Sequence, residues 1–194
     1  MKNTFVFLML FTFCTILAQE KRVAFGVKAG LNYGDNGKIE ATDIVNTSVD
    51  DRVGYHLGVF LRGNLTDQIY LKPELQYAVN NSMYNTDTKS LEYNIKKLDL
   101  PILVGVSVLG PIHIFGGPAL QYIVENDLED VRLGDVKNDF TVGLQFGAGL
   151  QLERFNIDIR YERGLSKNRA ESIDEDIRVD TRPNQIIIGI ALDL

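Results

Sequence analysis

Period-two alternation in eight separate runs, connections that are by turns short and long, and an aromatic near one end of most runs predict an all-β protein. The class they point to is an eight-stranded antiparallel up-and-down transmembrane β-barrel. The clearest runs form one strand pair. Phe140, Val142, Leu144, Phe146, Ala148, Leu150 and Leu152 alternate with Thr141, Gly143, Gln145, Gly147, Gly149 and Gln151. Past Glu153–Asn156, the residues Phe155, Ile157, Ile159 and Tyr161 alternate with Asn156, Asp158, Arg160 and Glu162. One side of this pair is continuously oily and the other carries charge. A soluble ligand-carrying barrel has a greasy inside and a wet outside. Here the oily side suits lipid and the polar side suits a narrow enclosed lumen.

The elements follow in chain order. Residues 1–18 read as a secretory signal peptide: Lys2 gives a positive start, Phe5 to Leu17 an apolar stretch shorter than the ~20 residues of a membrane helix, and Ala18 a small residue before the cut. The only cysteine, Cys14, lies inside it and follows Phe13, which argues against a lipid anchor. The mature chain then has no disulfide and no thiolate site. Residues 19–194 form one barrel domain. Its remaining strands centre on Val23–Tyr33, Val53–Arg62, Ile69–Tyr77, Leu98–Val108, Ile112–Tyr122 and Gln185–Leu194. Three connections are short (Gly63–Gln68, Leu109–Pro111 and Glu153–Asn156), and they predict periplasmic turns. Four are longer and polar (Gly34–Arg52, Asn81–Glu92, Glu125–Asp139 and Ser166–Pro183), and they predict outer loops.

Parity puts Tyr33, Tyr55, Tyr77, Tyr122, Phe140 and Tyr161 on the lipid face near the outer ends of their strands, as an aromatic girdle. Tyr93 stands at the same level with the wrong parity relative to Leu98. A bulge near Lys96–Lys97 that inserts one residue would repair it. The same parity sends Lys28, Arg62, Lys72, Glu74, Asp99, Asp158, Arg160, Glu162 and Asp193 inward. Enclosed charges have to be paired, so these nine predict an interior charge network. Inward glycines (Gly26, Gly30, Gly54, Gly58, Gly105, Gly117, Gly143 and Gly147) leave room for arginines and for Phe60 and Phe115. An eight-stranded barrel is only wide enough for side chains to fill, which predicts a plugged interior.

Other chemistry finds little support. The formal net charge of −6 argues against a nucleic-acid partner. Both histidines, His56 and His113, point inward and read as hydrogen-bonded interior groups rather than catalytic ones. The acidic segments Glu125–Asp139 and Glu171–Asp180 lack a calcium-loop pattern and read as a solvated outer surface. No catalytic, cofactor-binding or metal-binding set is assigned.

The segments FGVKAGLNY (Phe25–Tyr33), YLKPELQY (Tyr70–Tyr77), LDLPILVGV (Leu98–Val106), IFGGPALQY (Ile114–Tyr122), FGAGLQL (Phe146–Leu152) and IDIRYERGLS (Ile157–Ser166) carry a resemblance over nearly the whole chain. It resembles the small outer-membrane β-barrel proteins of Bacteroidetes, labelled porin-family or PorT-like. The resemblance implies the outer membrane of a Gram-negative bacterium after signal-peptide export. It implies lipid, lipopolysaccharide and the barrel assembly machinery as partners, with secretion-system proteins as further candidates. The expected role is a non-enzymatic barrel, structural or part of a secretion or adhesion assembly. The alternatives are a narrow channel for ions or small solutes and, third, a lipid A-modifying enzyme centred on His56.

Overall fold

The structure, a computed structural model, describes residues 23–35, 38–41, 48–50, 52–85, 90–128, 140–165, 169–171, 177–180 and 184–194. The expected signal segment lies outside them. The strands are β1 (Val23–Asp35), β2 (Lys38–Ala41), β3 (Ser48–Asp50), β4 (Arg52–Asn64), β5 (Ile69–Asn85), β6 (Ser90–Leu109), β7 (Ile112–Leu128), β8 (Phe140–Leu152), β9 (Phe155–Gly164), β10 (Arg169–Glu171), β11 (Ile177–Asp180) and β12 (Asn184–Asp193).

Eight of them close a ring in the order β1, β4, β5, β6, β7, β8, β9, β12 and back to β1, with every pair antiparallel. This is the eight-stranded barrel the alternation predicts. Closure runs from Gly26 opposite Asp193 to Asp35 opposite Asn184. It leaves the ring without a free edge.

The ring is oily outside and polar inside. Neighbours on β9 make the point: Ile159 is 54% exposed and Arg160 is 2% exposed. Soluble proteins rarely bury unpaired charge or expose a continuous apolar belt. Here the belt is the rule, with Leu57, Ile114, Phe146, Ile188 and Ile190 all more than half exposed.

The three short connections lie at one end of the ring. Between β4 and β5, the Thr66 hydroxyl accepts from the backbone N–H groups of Gln68 and Ile69. Between β6 and β7, Gly110 takes a left-handed φ of 54°, which a two-residue hairpin favours. Between β8 and β9, Glu153 takes φ 53° without glycine's freedom. Both termini of the ring meet at this end, where the Leu194 amide bonds to the Phe25 carbonyl.

At the opposite end the strands run further than the alternation indicates. β5 and β6 pair as far as Asn85 opposite Ser90, inside the segment expected as a loop at Asn81–Glu92. β2, β11 and β10 form a three-stranded sheet, and β3 adds to β5. Beyond the oily belt neither face has to be apolar, so the period-two signal fades while backbone pairing continues.

The expected repair at Tyr93 is not what the chain does. The register does shift at Lys96/Lys97, where they face Glu125 and Ile123. The extra residue is Val124 on β7, however, and β5 pairs with β6 across this region without a break. β6 therefore keeps one alternation through the shift, with Ile95, Lys97 and Asp99 all buried. The bulge turns the outer end of β7 instead.

Candidate functional site in the barrel interior

Side chains from all eight barrel strands meet in the lumen, among them Lys28, Phe60, Glu74, Leu103, Phe115, Gln145, Arg160 and Ile187. They fit because residues without side chains stand opposite the large ones. Gly26 pairs with Phe60, and a Cβ there would run into the ring. Gly147 pairs with Arg160 and lies so close that an added Cβ would stand 2.8 Å from the Arg160 Cα.

At the centre, Glu74 is the hub. Its Oε2 accepts from Arg160 Nη1 at 2.9 Å and from Lys28 Nζ at 3.3 Å. Its Oε1 accepts from Arg160 Nη2 at 3.1 Å and lies 3.1 Å from Lys72 Nζ. Arg160 in turn donates through Nε to Asp158 at 2.6 Å, and Lys28 reaches Asp158 at 3.4 Å. This cluster holds three cations and two carboxylates. Aromatic faces assist: Lys72 Nζ sits 4.4 Å from the Phe60 ring centre and Arg160 Cζ 5.0 Å from that of Phe115.

Nearer the long-connection end, a second cluster reverses the balance. Glu162, fully buried, accepts from Lys97, Gln121, Gln145 and Gln185. Lys97 also pairs with Asp99 at 3.1 Å. One cation faces two carboxylates here. Taken together, Lys28, Lys72, Lys97 and Arg160 balance Glu74, Asp99, Asp158 and Glu162. Gln145 joins the two clusters, since its Oε1 accepts from Arg160 at 3.2 Å. A directed chain of donors also converges on Glu162. His56 Nδ1 donates to Asn32 at 2.8 Å, Asn32 to Asn80 at 2.8 Å, Asn80 to Gln185 at 3.1 Å and Gln185 to Glu162 at 2.8 Å.

The other two residues of the predicted charge set stand apart, at the short-turn mouth. Arg62 donates to Asp193 at 2.8 Å and to Gln151 at 2.5 Å. Gln151 also accepts from Asn156, whose amide lies 2.7 Å from His113 Nε2. With Nε2 accepting, the imidazole proton sits on Nδ1 and is donated to the Tyr70 oxygen at 2.6 Å. His56 and His113 thus lie in different hydrogen-bonded chains.

The structure therefore brings seven of the nine predicted charges into the two central clusters and places Arg62 and Asp193 together at the mouth. The sequence reading missed Lys97, which was assigned to the bulge, although its parity with Asp99 marks it as inward. It also missed the amide ring of Gln121, Gln145 and Gln185, which share the inward parity but carry no charge that would have to be paired. The six aromatics Tyr33, Tyr55, Tyr77, Tyr122, Phe140 and Tyr161 all face outward and are between 36% and 55% exposed. Of the acidic segments, Glu125 pairs with Lys96 at 2.6 Å; much of both segments lies outside the described residues.

Comparison with known proteins fits this geometry. Residues 17–169 match the outer membrane protein beta-barrel domain. The chain belongs to that family. It is an outer-membrane protein of a Gram-negative bacterium, and the outward oily belt is its lipid contact. No curated protein matches this family member. Among solved structures, it is similar to the outer membrane protein OprG from Pseudomonas aeruginosa, at 14% identity and a TM-score of 0.57, covering 90% of this chain and 97% of OprG. It is also similar to Neisserial surface protein A, at 11% identity and 0.52, covering 90% and 100%. The attachment invasion locus protein Ail of Yersinia pestis gives 11% identity and 0.50, covering 90% and 100%. At these identities the likeness concerns the fold.

Proposed function

We propose that this outer-membrane barrel is non-enzymatic and non-conducting. It would act as a structural or docking component of an envelope secretion or adhesion assembly, in the manner of the PorT-like barrels it resembles. The observation that carries this reading is the filled lumen. Eight buried charges of opposite sign neutralise one another across the middle of the barrel, and Phe60, Leu103 and Phe115 pack beside them. An ion on its way through would have to displace a carboxylate held by several cations or amides at once. That replacement is costly where charges are desolvated.

With the centre committed to closure, the surfaces left for partners are the two ends. The outer end carries the strand extensions and acidic segments; the other carries the short turns, on the periplasmic side in barrels of this kind. The six outward aromatics would sit at the outer interface between lipid and water. His56 does not favour the lipid-modifying alternative: its Nδ1 is held by Asn32 and its Nε2 lies against Gly30.

The test is in-cell photo-crosslinking from probes at Asp67, Gly110 and Arg154 in the short turns and at Glu125 in the outer extension. A reproducible envelope-protein partner supports a docking role. Trapping of lipopolysaccharide and bulk envelope proteins alone would reduce the protein to a free-standing barrel and remove the assembly from this reading.

A further inference from the structure

The lipid face carries one charge that the oily belt does not explain. Among the described side chains of the eight barrel strands, the cations that point outward are Lys96 and Arg163. Lys96 is taken by Glu125 at 2.6 Å. Arg163 makes no side-chain hydrogen bond or ion pair with any described residue. It continues the outward set of β9 one step past Tyr161, toward the long-connection end, with Leu165 beyond it. We propose that this face of the barrel holds one lipopolysaccharide molecule of the outer leaflet, with a phosphate of its lipid A on Arg163 and one acyl chain in the wall below.

Depth and charge argue for a phosphorylated head group. Tyr161 belongs to the aromatics that would mark the interface between lipid and water, and Arg163 lies about 7 Å further out along the strand. No described carboxylate competes for it. Its neighbours across the sheet are Leu144 on β8 and Asn184 on β12. Glu162, beside it in the chain, points into the lumen and is held there by Lys97, Gln121, Gln145 and Gln185. A guanidinium with all its donors open fits two oxygens of one phosphate at once.

Shape argues for an acyl chain. On the same strands an apolar groove of about 590 Å³ crosses the outer wall of β7, β8 and β9. That volume lies within the ~300–1,000 Å³ of ligand sites. In one row across the sheet Ala148 stands between Ile114 and Ile159, so the wall dips there. The backbone of Gly147 adds to the floor. Phe146 and Tyr161, with ring centroids 5.3 Å apart, stand on the side toward Arg163. Ile159 and Arg163 are four residues apart on β9, roughly 14 Å. A lipid spans that distance with its phosphate at one end and its tail at the other. A second copy of the chain, seated here by two-fold symmetry, would instead bring another Arg163 toward the first.

The site needs only the belt's contact with lipid and stands whether or not the docking role holds. The full barrel, folded in amine-oxide micelles that carry no phosphate, is titrated with bisphosphorylated lipid A, and bound lipid is counted by native mass spectrometry. The expected result is one lipid A retained per barrel. Arg163→Gln should weaken its binding roughly tenfold. Ala148→Phe, which fills the groove and leaves Arg163 in place, should weaken it as well. Lys96→Gln removes the outward cation that is already paired and should leave binding within about twofold of the parent. A heat-modifiable gel shift confirms that each variant is a folded barrel. Lipid A stripped of its phosphates should bind the parent as weakly as the intact lipid binds Arg163→Gln. Undiminished binding in folded Arg163→Gln or Ala148→Phe overturns the site. So does an equal loss in Lys96→Gln, or equal retention of phosphatidylglycerol. Barrel dimers that form without lipid A and vanish in Ala148→Phe would make the groove a contact between copies and overturn it too.

Discussion

At the middle of the barrel Glu74 accepts from three cations, and its side chain is wholly out of contact with solvent. At the short-turn mouth Arg62 and Asp193 make a single ion pair with side chains 21% and 14% exposed, beside a cavity. Both are charge networks inside one ring of strands, yet they are built for different ends. In the centre each charge is needed to hold the others, and removing one strands the rest in a desolvated space. At the mouth, solvent can stand in for a lost partner. A network buried on all sides serves to plug and to fix register.

The largest expected effect lies at the centre. Glu74→Gln leaves Lys28, Lys72 and Arg160 facing Asp158 alone, and loss of one member of a buried cluster costs about 3–5 kcal/mol. Equilibrium unfolding in micelles measures it. Far-UV circular dichroism is the suitable probe, since the chain has no tryptophan. A loss below about 1 kcal/mol would mean that water reaches Glu74 and that centre and mouth are alike.

Packing sharpens the contrast next. Gly147→Ala places a methyl against the Arg160 backbone and the Ile159 carbonyl, and overpacking of this kind costs about 1–3 kcal/mol. Gly116→Ala, whose new Cβ approaches nothing closer than 3.3 Å, should change stability by no more than about 0.5 kcal/mol. The same unfolding curves give both numbers. Equal losses would mean that the interior is loosely filled.

At the mouth the effects shrink. Arg62→Ala should cost about 1 kcal/mol or less, and 0.5 M salt should reduce the difference from the parent chain, because the pair is partly exposed. The smallest effect is a gain. Glu153→Gly relieves a left-handed turn residue and should raise stability by about 1 kcal/mol or less.

The sequence made the faces of the barrel legible because a strand's period is two and each barrel wall divides two unlike media. From Ile157 to Glu162 a single alternation assigns lipid or lumen to every residue, and the structure follows it. The same rule brought Arg160 and Glu74 inside without saying that they touch, since their contact crosses the lumen between opposite strands, β5 and β9, and depends on register between strands far apart in sequence. Lys97 was lost for a related reason. A parity conflict at Tyr93 can be relieved on either of two paired strands, and the extra residue sits on β7 at Val124. The outer extensions were illegible because polar residues on both faces of β5 and β6 carry no alternation. The mouth cavity was invisible too, because it is assembled by turns and strand ends from β4, β5, β6, β7 and β8.

The most direct test of the closed centre is single-channel recording of the purified barrel in planar bilayers. A plugged lumen predicts insertion, verified by fluorescent labelling of the bilayer patch, without discrete conductance steps. Long-lived open steps whose size changes in Lys72→Met or Arg62→Ala would contradict it, and would make the lumen a path instead of a plug.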